Sequence, residues 1–153
     1  MLKEDSIDHY LRATWQAVSK MYNEQAAKRN STMSMAFVLL NIDFDNGTPS
    51  TALGPQMGME ATSLSRILKN MEEKGAIYRE ANPDDGRSIL IKLTEKGKKE
   101  REFAKSVVLH FNSVVRRYVT PEQIDGFFEV MKTINRLIKS DTFFQSENNI
   151  TTQ

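Results

Sequence analysis

The chain has 153 residues, 39% of them hydrophobic and 27% charged, and a formal net charge of +1, an ordinary composition able to bury a core. It has no cysteine and only two histidines, His9 and His110, so disulfides and thiolate chemistry are excluded and a zinc centre or histidine-based triad lacks a partner set. The small net charge argues against coating nucleic acid by sheer charge, but not against a site-specific binder, where the placement of a few cations decides.

Taken in chain order, Ile7, Leu11, Trp15, Val18 and Tyr22 recur at helical spacing and predict a long amphipathic helix over residues 4–29. Ser31, Thr32 and Ser34 offer N-caps for a second helix, apolar almost all round (Met35, Ala36, Val38, Leu39, Leu40, Ile42) and expected to end at Asn46-Gly47. Ser50 is the expected N-cap of a short helix reaching about Met57, with Gly58 supplying a tight turn. Glu60 then opens another helix whose Leu64, Ile67, Leu68 and Met71 form one stripe and which Lys74-Gly75 closes. Short helix, tight turn, second helix is a helix-turn-helix layout.

The period then changes to two. Ile77, Arg79 and Ala81 alternate with their neighbours, and after a Pro/Asp/Gly loop Ile89, Ile91 and Leu93 resume the pattern, which predicts a β-hairpin. Thr94 can cap a long helix with Phe103, Val107, Phe111, Val114 and Tyr118 in one stripe. Thr120-Pro121-Glu122-Gln123 reads as a capping box with proline at the first helical position, and its helix carries Ile124, Phe127, Phe128, Met131, Ile134 and Ile138. Residues 142–153 form a mostly polar tail expected to fray. No apolar run reaches the length of a membrane span and the N-terminus is too polar for a signal peptide, so a cytoplasmic location without a membrane partner is expected.

On the second helix of the helix-turn-helix, the apolar stripe leaves Thr62, Ser63, Ser65, Arg66, Lys69 and Asn70 pointing outward, the short polar and basic set that reads base edges and phosphates in a major groove. Arg87, beyond Asp84-Asp85-Gly86 at the hairpin tip, is placed to enter a minor groove, with Asp85 and Gly86 shaping the loop. A plain solvated helix face and a plain turn are the competing readings of each part alone. A helix-turn-helix followed directly by a basic-tipped hairpin is a winged helix, so the fold expected is mainly α, a winged helix-turn-helix flanked by N- and C-terminal helices.

Residues 63–99 resemble the core of the multiple-antibiotic-resistance regulator (MarR) family. The resemblance rests on Met71-Glu72-Glu73-Lys74-Gly75 ending a helix, Asp85-Gly86-Arg87 in the hairpin, and Leu93-Thr94-Glu95-Lys96-Gly97 opening the next helix. The flanking helices match in number and order, extending the likeness over about residues 4–140. It implies one domain over residues 1–141, with a winged-helix lobe at about 32–99 and dimerisation helices at about 4–29 and 100–140. It also implies a homodimer straddling a palindromic operator on double-stranded DNA, and in many members a repressor released by a small aromatic or acidic effector. One departure is Leu53-Gly54-Pro55, where the family usually carries Leu-Ala; a proline there predicts a short or kinked helix.

Ile7, Leu11, Val115, Tyr118, Phe127, Phe128, Met131 and Ile134 make a face too broad for one thin lobe and are the candidates for the dimer interface, an intrachain bundle being the alternative. Trp15, Tyr22, Met33, Met35, Phe37 and Phe111 are candidates for an effector pocket, though such residues are more often core. No cofactor, metal ligand set, nucleophile-base pair or phosphate loop is evident, so an enzyme is not expected. The alternative function is a winged-helix protein-protein module, motivated by the modest charge and by Glu80, Asp84 and Asp85 around the hairpin.

Overall fold

Among the described residues, helical stripes build six helices, one alternating stretch builds two strands, and a two-residue strand joins them. The computed structural model describes residues 5–144. In chain order these are α1 (Ile7–Ala27), α2 (Met33–Asn41), β1 (Thr48–Pro49), α3 (Ser50–Met57), α4 (Ala61–Glu73), β2 (Ile77–Ala81), β3 (Ile89–Leu93), α5 (Glu95–Tyr118) and α6 (Pro121–Lys139). They divide into two compact units, one running to Leu109 and the other starting at His110, with α5 contributing to both. The expected tail over 142–153 lies mostly outside the described residues, of which only the turn around 141–144 is seen.

In the first unit, α2, α3, α4 and the sheet enclose a core of Met35, Val38, Leu39, Ile42, Leu53, Leu64, Leu68, Met71, Ala76, Ile77, Ile91 and Leu93. Burying each of the valine, leucine, isoleucine and methionine side chains is worth about 1.5–3 kcal/mol relative to leaving it exposed. Of the three cap candidates for α2, Thr32 takes the role, its hydroxyl accepting from the Met35 amide at 3.2 Å. The helix ends at Asn41, well before the expected Asn46-Gly47. The Asp43 carboxylate closes a turn there by accepting from the Asp45 and Asn46 amides at 3.1 and 2.7 Å.

That turn delivers β1, which has no counterpart in the sequence reading, to the edge of the sheet. The order is β1-β3-β2, all antiparallel, with Thr48 opposite Ile91 and Ile77 opposite Leu93. Ser50 is the first helical residue of α3 rather than its cap, because Pro49 precedes it and no side chain caps the helix. Pro55 lies inside α3, which is only eight residues long, as a missing N–H near the middle of a helix demands.

Two glycines of the resemblance have visible causes. Gly75 has φ of 76°, the left-handed conformation that ends α4. Gly97 lies against the Ala76 carbonyl, where a Cβ would fall 1.9 Å from the oxygen. Thr94 opens α5 as expected, its Oγ1 accepting from the Gly97 amide at 3.0 Å.

In the second unit, the last turns of α5 lead to α6, opened by a complete capping box. Thr120 Oγ1 accepts from the Gln123 amide at 3.2 Å and Gln123 Oε1 from the Thr120 amide at 2.8 Å. No residue of α6 is buried.

Candidate nucleic-acid interface

Leu64, Leu68 and Met71 turn one side of α4 into the core, and the opposite side follows by helical geometry. Thr62, Ser65, Arg66, Lys69 and Asn70 are exposed and Ser63 is half-buried. Beyond α4, the hairpin of β2 and β3 ends in a loop held by its own side chains. Asn82 Nδ2 donates to Ser88 Oγ at 2.8 Å, Asp84 N donates to Asn82 Oδ1 at 3.0 Å, and Arg87 N donates to Asp85 Oδ1 at 3.0 Å. Asp85 therefore fixes the backbone of Arg87, and Gly86 sits exposed between them.

Charges around this surface fall into two groups. Arg79 Nε pairs with Glu72 Oε2 at 2.9 Å, bracing β2 against the last turn of α4, and Lys92 Nζ pairs with Glu80 Oε2 at 3.0 Å across the hairpin. The hydrogen bond and charge of Glu80 raise the Lys92 pKa, so that ammonium stays charged and occupied. Arg66, Lys69 and Arg87 have no carboxylate partner among the described residues. Three free cations on one helix face and one hairpin tip, beside hydroxyls and an amide, can bind a polyanion and discriminate base edges. Glu72 was named from sequence only within the helix-ending motif; its pairing with Arg79 is a tertiary contact that leaves no spacing signal.

A second feature of the first unit is a cavity of about 40 Å³ among α1, α2 and the start of α5. Tyr22, Met33 and Phe37 line it, with Tyr22 and Phe37 edge to face at 5.9 Å. Burial raises the Tyr22 phenol pKa. Of the other candidates, Met35 lies in the core, Trp15 is half exposed on α1 and Phe111 belongs to the second unit. Arg29, Ser31, Glu100, Phe103 and Val107 also line the cavity and were not expected there from sequence; the Arg29 guanidinium stacks on the Phe103 ring at 4.3 Å.

The candidates for self-association are all accessible in the single chain. Ile7, Leu11, Tyr118, Phe127 and Phe128 are exposed, Tyr118 by 85%, and Val115, Met131 and Ile134 are half-buried.

A family model for the MarR family matches residues 32–89, from α2 to the start of β3. The chain belongs to the MarR family. It is 31% identical over 97 residues to the organic hydroperoxide resistance transcriptional regulator of Bacillus subtilis, covering 63% of this chain and 66% of that one. The chain spans between 58% and 66% of the length of this relative and two staphylococcal SarZ regulators. Among solved structures, the MepR-DNA complex of S. aureus superposes with a TM-score of 0.77 at 17% identity, covering 90% of this chain and 99% of that one. The PcaV regulator of Streptomyces coelicolor in complex with its natural ligand gives a TM-score of 0.75 at 18% identity, covering 89% and 96%. The fold of this MarR-family chain is thus the winged helix expected from sequence. Among the described residues, no helix is long and apolar enough to cross a membrane.

Proposed function

We propose that this chain is a sequence-specific DNA-binding regulator of transcription, acting in the cytoplasm as a homodimeric repressor on a palindromic operator and released by a small effector. The observation that carries the reading is the contrast in charge pairing. Neighbouring Arg79 and Lys92 are neutralised by glutamates, whereas Arg66, Lys69 and Arg87 are left free on the outward side of α4 and the hairpin tip.

In this reading α4 lies in the major groove. Arg66 donates to a guanine edge, Lys69 meets the phosphate backbone, and Thr62, Ser63, Ser65 and Asn70 supply shorter hydrogen-bonding contacts. Arg87, its backbone held by Asp85, enters the flanking minor groove, where a narrow groove concentrates negative potential. The exposed apolar faces of α6 and of the first half of α1 join two copies, which doubles the length of DNA read. The cavity beside Tyr22 and Phe37 is the effector site. Support comes from the relatives, which are named as transcriptional regulators, and from similar folds solved with DNA and with a ligand.

The test is a gel-shift titration of the purified chain on the intergenic DNA beside its own gene. A discrete complex that survives excess unrelated DNA at modest salt is expected. Binding that is only non-specific, together with retained affinity for a protein partner after charge reversal at Lys69 and Arg87, would establish the protein-protein module instead.

A further inference from the structure

The last turn of α4 is tied to both walls of the cavity, and both ties meet at one residue. Lys74 caps the helix. Its ammonium donates to the Asn30 carbonyl at 2.8 Å. Asn30 is held in a left-handed conformation, φ 53°, between Arg29 and Ser31, which line the cavity on the α1-α2 side. The Lys74 carbonyl accepts from Lys96 Nζ at 2.7 Å, and Lys96 pairs at 3.8 Å with Glu100, which lines the cavity on the α5 side. The adjoining turn is fastened to the start of α5 as well: Thr94 Oγ1 donates to the Gly75 carbonyl at 2.5 Å and Thr94 N to the Ala76 carbonyl at 3.1 Å. Both ammonium groups sit at helix C-termini, where carbonyls and the macrodipole favour a cation.

At about 40 Å³ the cavity holds roughly three waters. An organic occupant that filled the enclosed part would therefore push the α1-α2 corner away from α5. Lys74 is bonded to both and cannot follow both.

We propose that Lys74 is the positioning residue that couples the cavity to the DNA-reading helix: spreading the walls breaks one of its two ties and shifts the C-terminal turn of α4 with the other. This rests on the regulator reading above and names the residue through which that regulation passes. Coupling of this kind is reciprocal, so operator binding, by holding α4, resists opening of the cavity.

A double-mutant cycle tests it without knowing the effector. Ala104→Leu enlarges a side chain in the cavity wall and stands in for an occupant; Ala36→Val is the milder wedge if Ala104→Leu does not fold. On a selected operator, the wedge should weaken binding about tenfold in the Lys74 chain and less than about twofold in Lys74→Met, with Lys74→Arg restoring the tenfold response. Additive effects would overturn the proposal. Amide exchange gives a readout free of DNA: the wedge should speed exchange at Gly75 and Ala76 in the Lys74 chain, leave it unchanged in Lys74→Met, and spare Val38. No response at Gly75 and Ala76 overturns the coupling whatever the DNA result. A response there with no DNA sequence bound would leave the coupling standing and sink the regulator reading.

Discussion

The two units of this chain use apolar side chains in opposite ways. In the first, the buried hydrophobic residues, all between Ala26 and Ala104, close on one another around α2, α4 and the sheet. In the second, α6 has no buried residue, and Phe127 and Phe128 are 54% and 42% exposed. The first unit makes its own core, so its outward face is free to carry polar and cationic groups. The second holds a helix with a good cap and an amphipathic stripe that its described residues cover only in part. A helix in that condition gains most of its stability from a partner surface. On the proposed function, the difference separates a reading unit that folds on its own contacts from an assembling unit that a second copy would complete.

Truncating the core should have the largest effect. Leu53 is fully buried on the inner side of α3, and Leu53→Ala should cost about 2–5 kcal/mol of stability in denaturant unfolding. If it cost nothing, the first unit would not be the self-sufficient one. Phe127→Glu addresses the other unit: the dimer dissociation constant measured by sedimentation should rise by about thirtyfold or more, as loss of a hot spot worth about 2 kcal/mol requires. An unchanged constant would move the interface elsewhere.

Within the reading unit, Arg66→Ala should relax discrimination at one base position by about 1–3 kcal/mol. Arg87→Ala should weaken all sequences alike and lower the salt slope by about one. Were the two variants to behave alike, helix and hairpin would not have the separate roles assigned to them. The smallest effect expected is on alkaline stability. Because burial raises the Tyr22 pKa in the folded chain, the unfolded state loses its phenolic proton first as pH rises. Tyr22 therefore contributes stability that is complete below the ordinary phenol value of 10.0 and is lost as pH rises through the folded value. Tyr22→Phe should remove that alkaline decline from a pH series of melting temperatures.

Elements with a strong period were legible from sequence alone. The α4 stripe of Leu64, Leu68 and Met71, the capping box at Thr120 and the hairpin on either side of Asp85 all lie where the pattern puts them. What escaped has no period to show. β1 is two residues long, and its place is set by pairing with Ile91 across the chain. The end of α2 depends on the Asp43 carboxylate capturing two amides, a local competition that the apolar run through Ile42 conceals. Lys74 read only as a basic residue in a last turn, because its bond to Asn30 spans 44 positions of sequence. The cations of the reading face were visible as residue types, but their lack of carboxylate partners, in contrast to neighbouring Arg79 and Lys92, is a tertiary fact that the sequence does not show.

The division into a reading unit and an assembling unit is tested most directly by selecting, from the genome of origin, the DNA fragments that the purified chain retains. The account predicts enrichment of a palindrome with two half-sites about one helical turn, ~10 bp, apart. Enrichment of a single unrepeated site, or of no sequence at all, would contradict it.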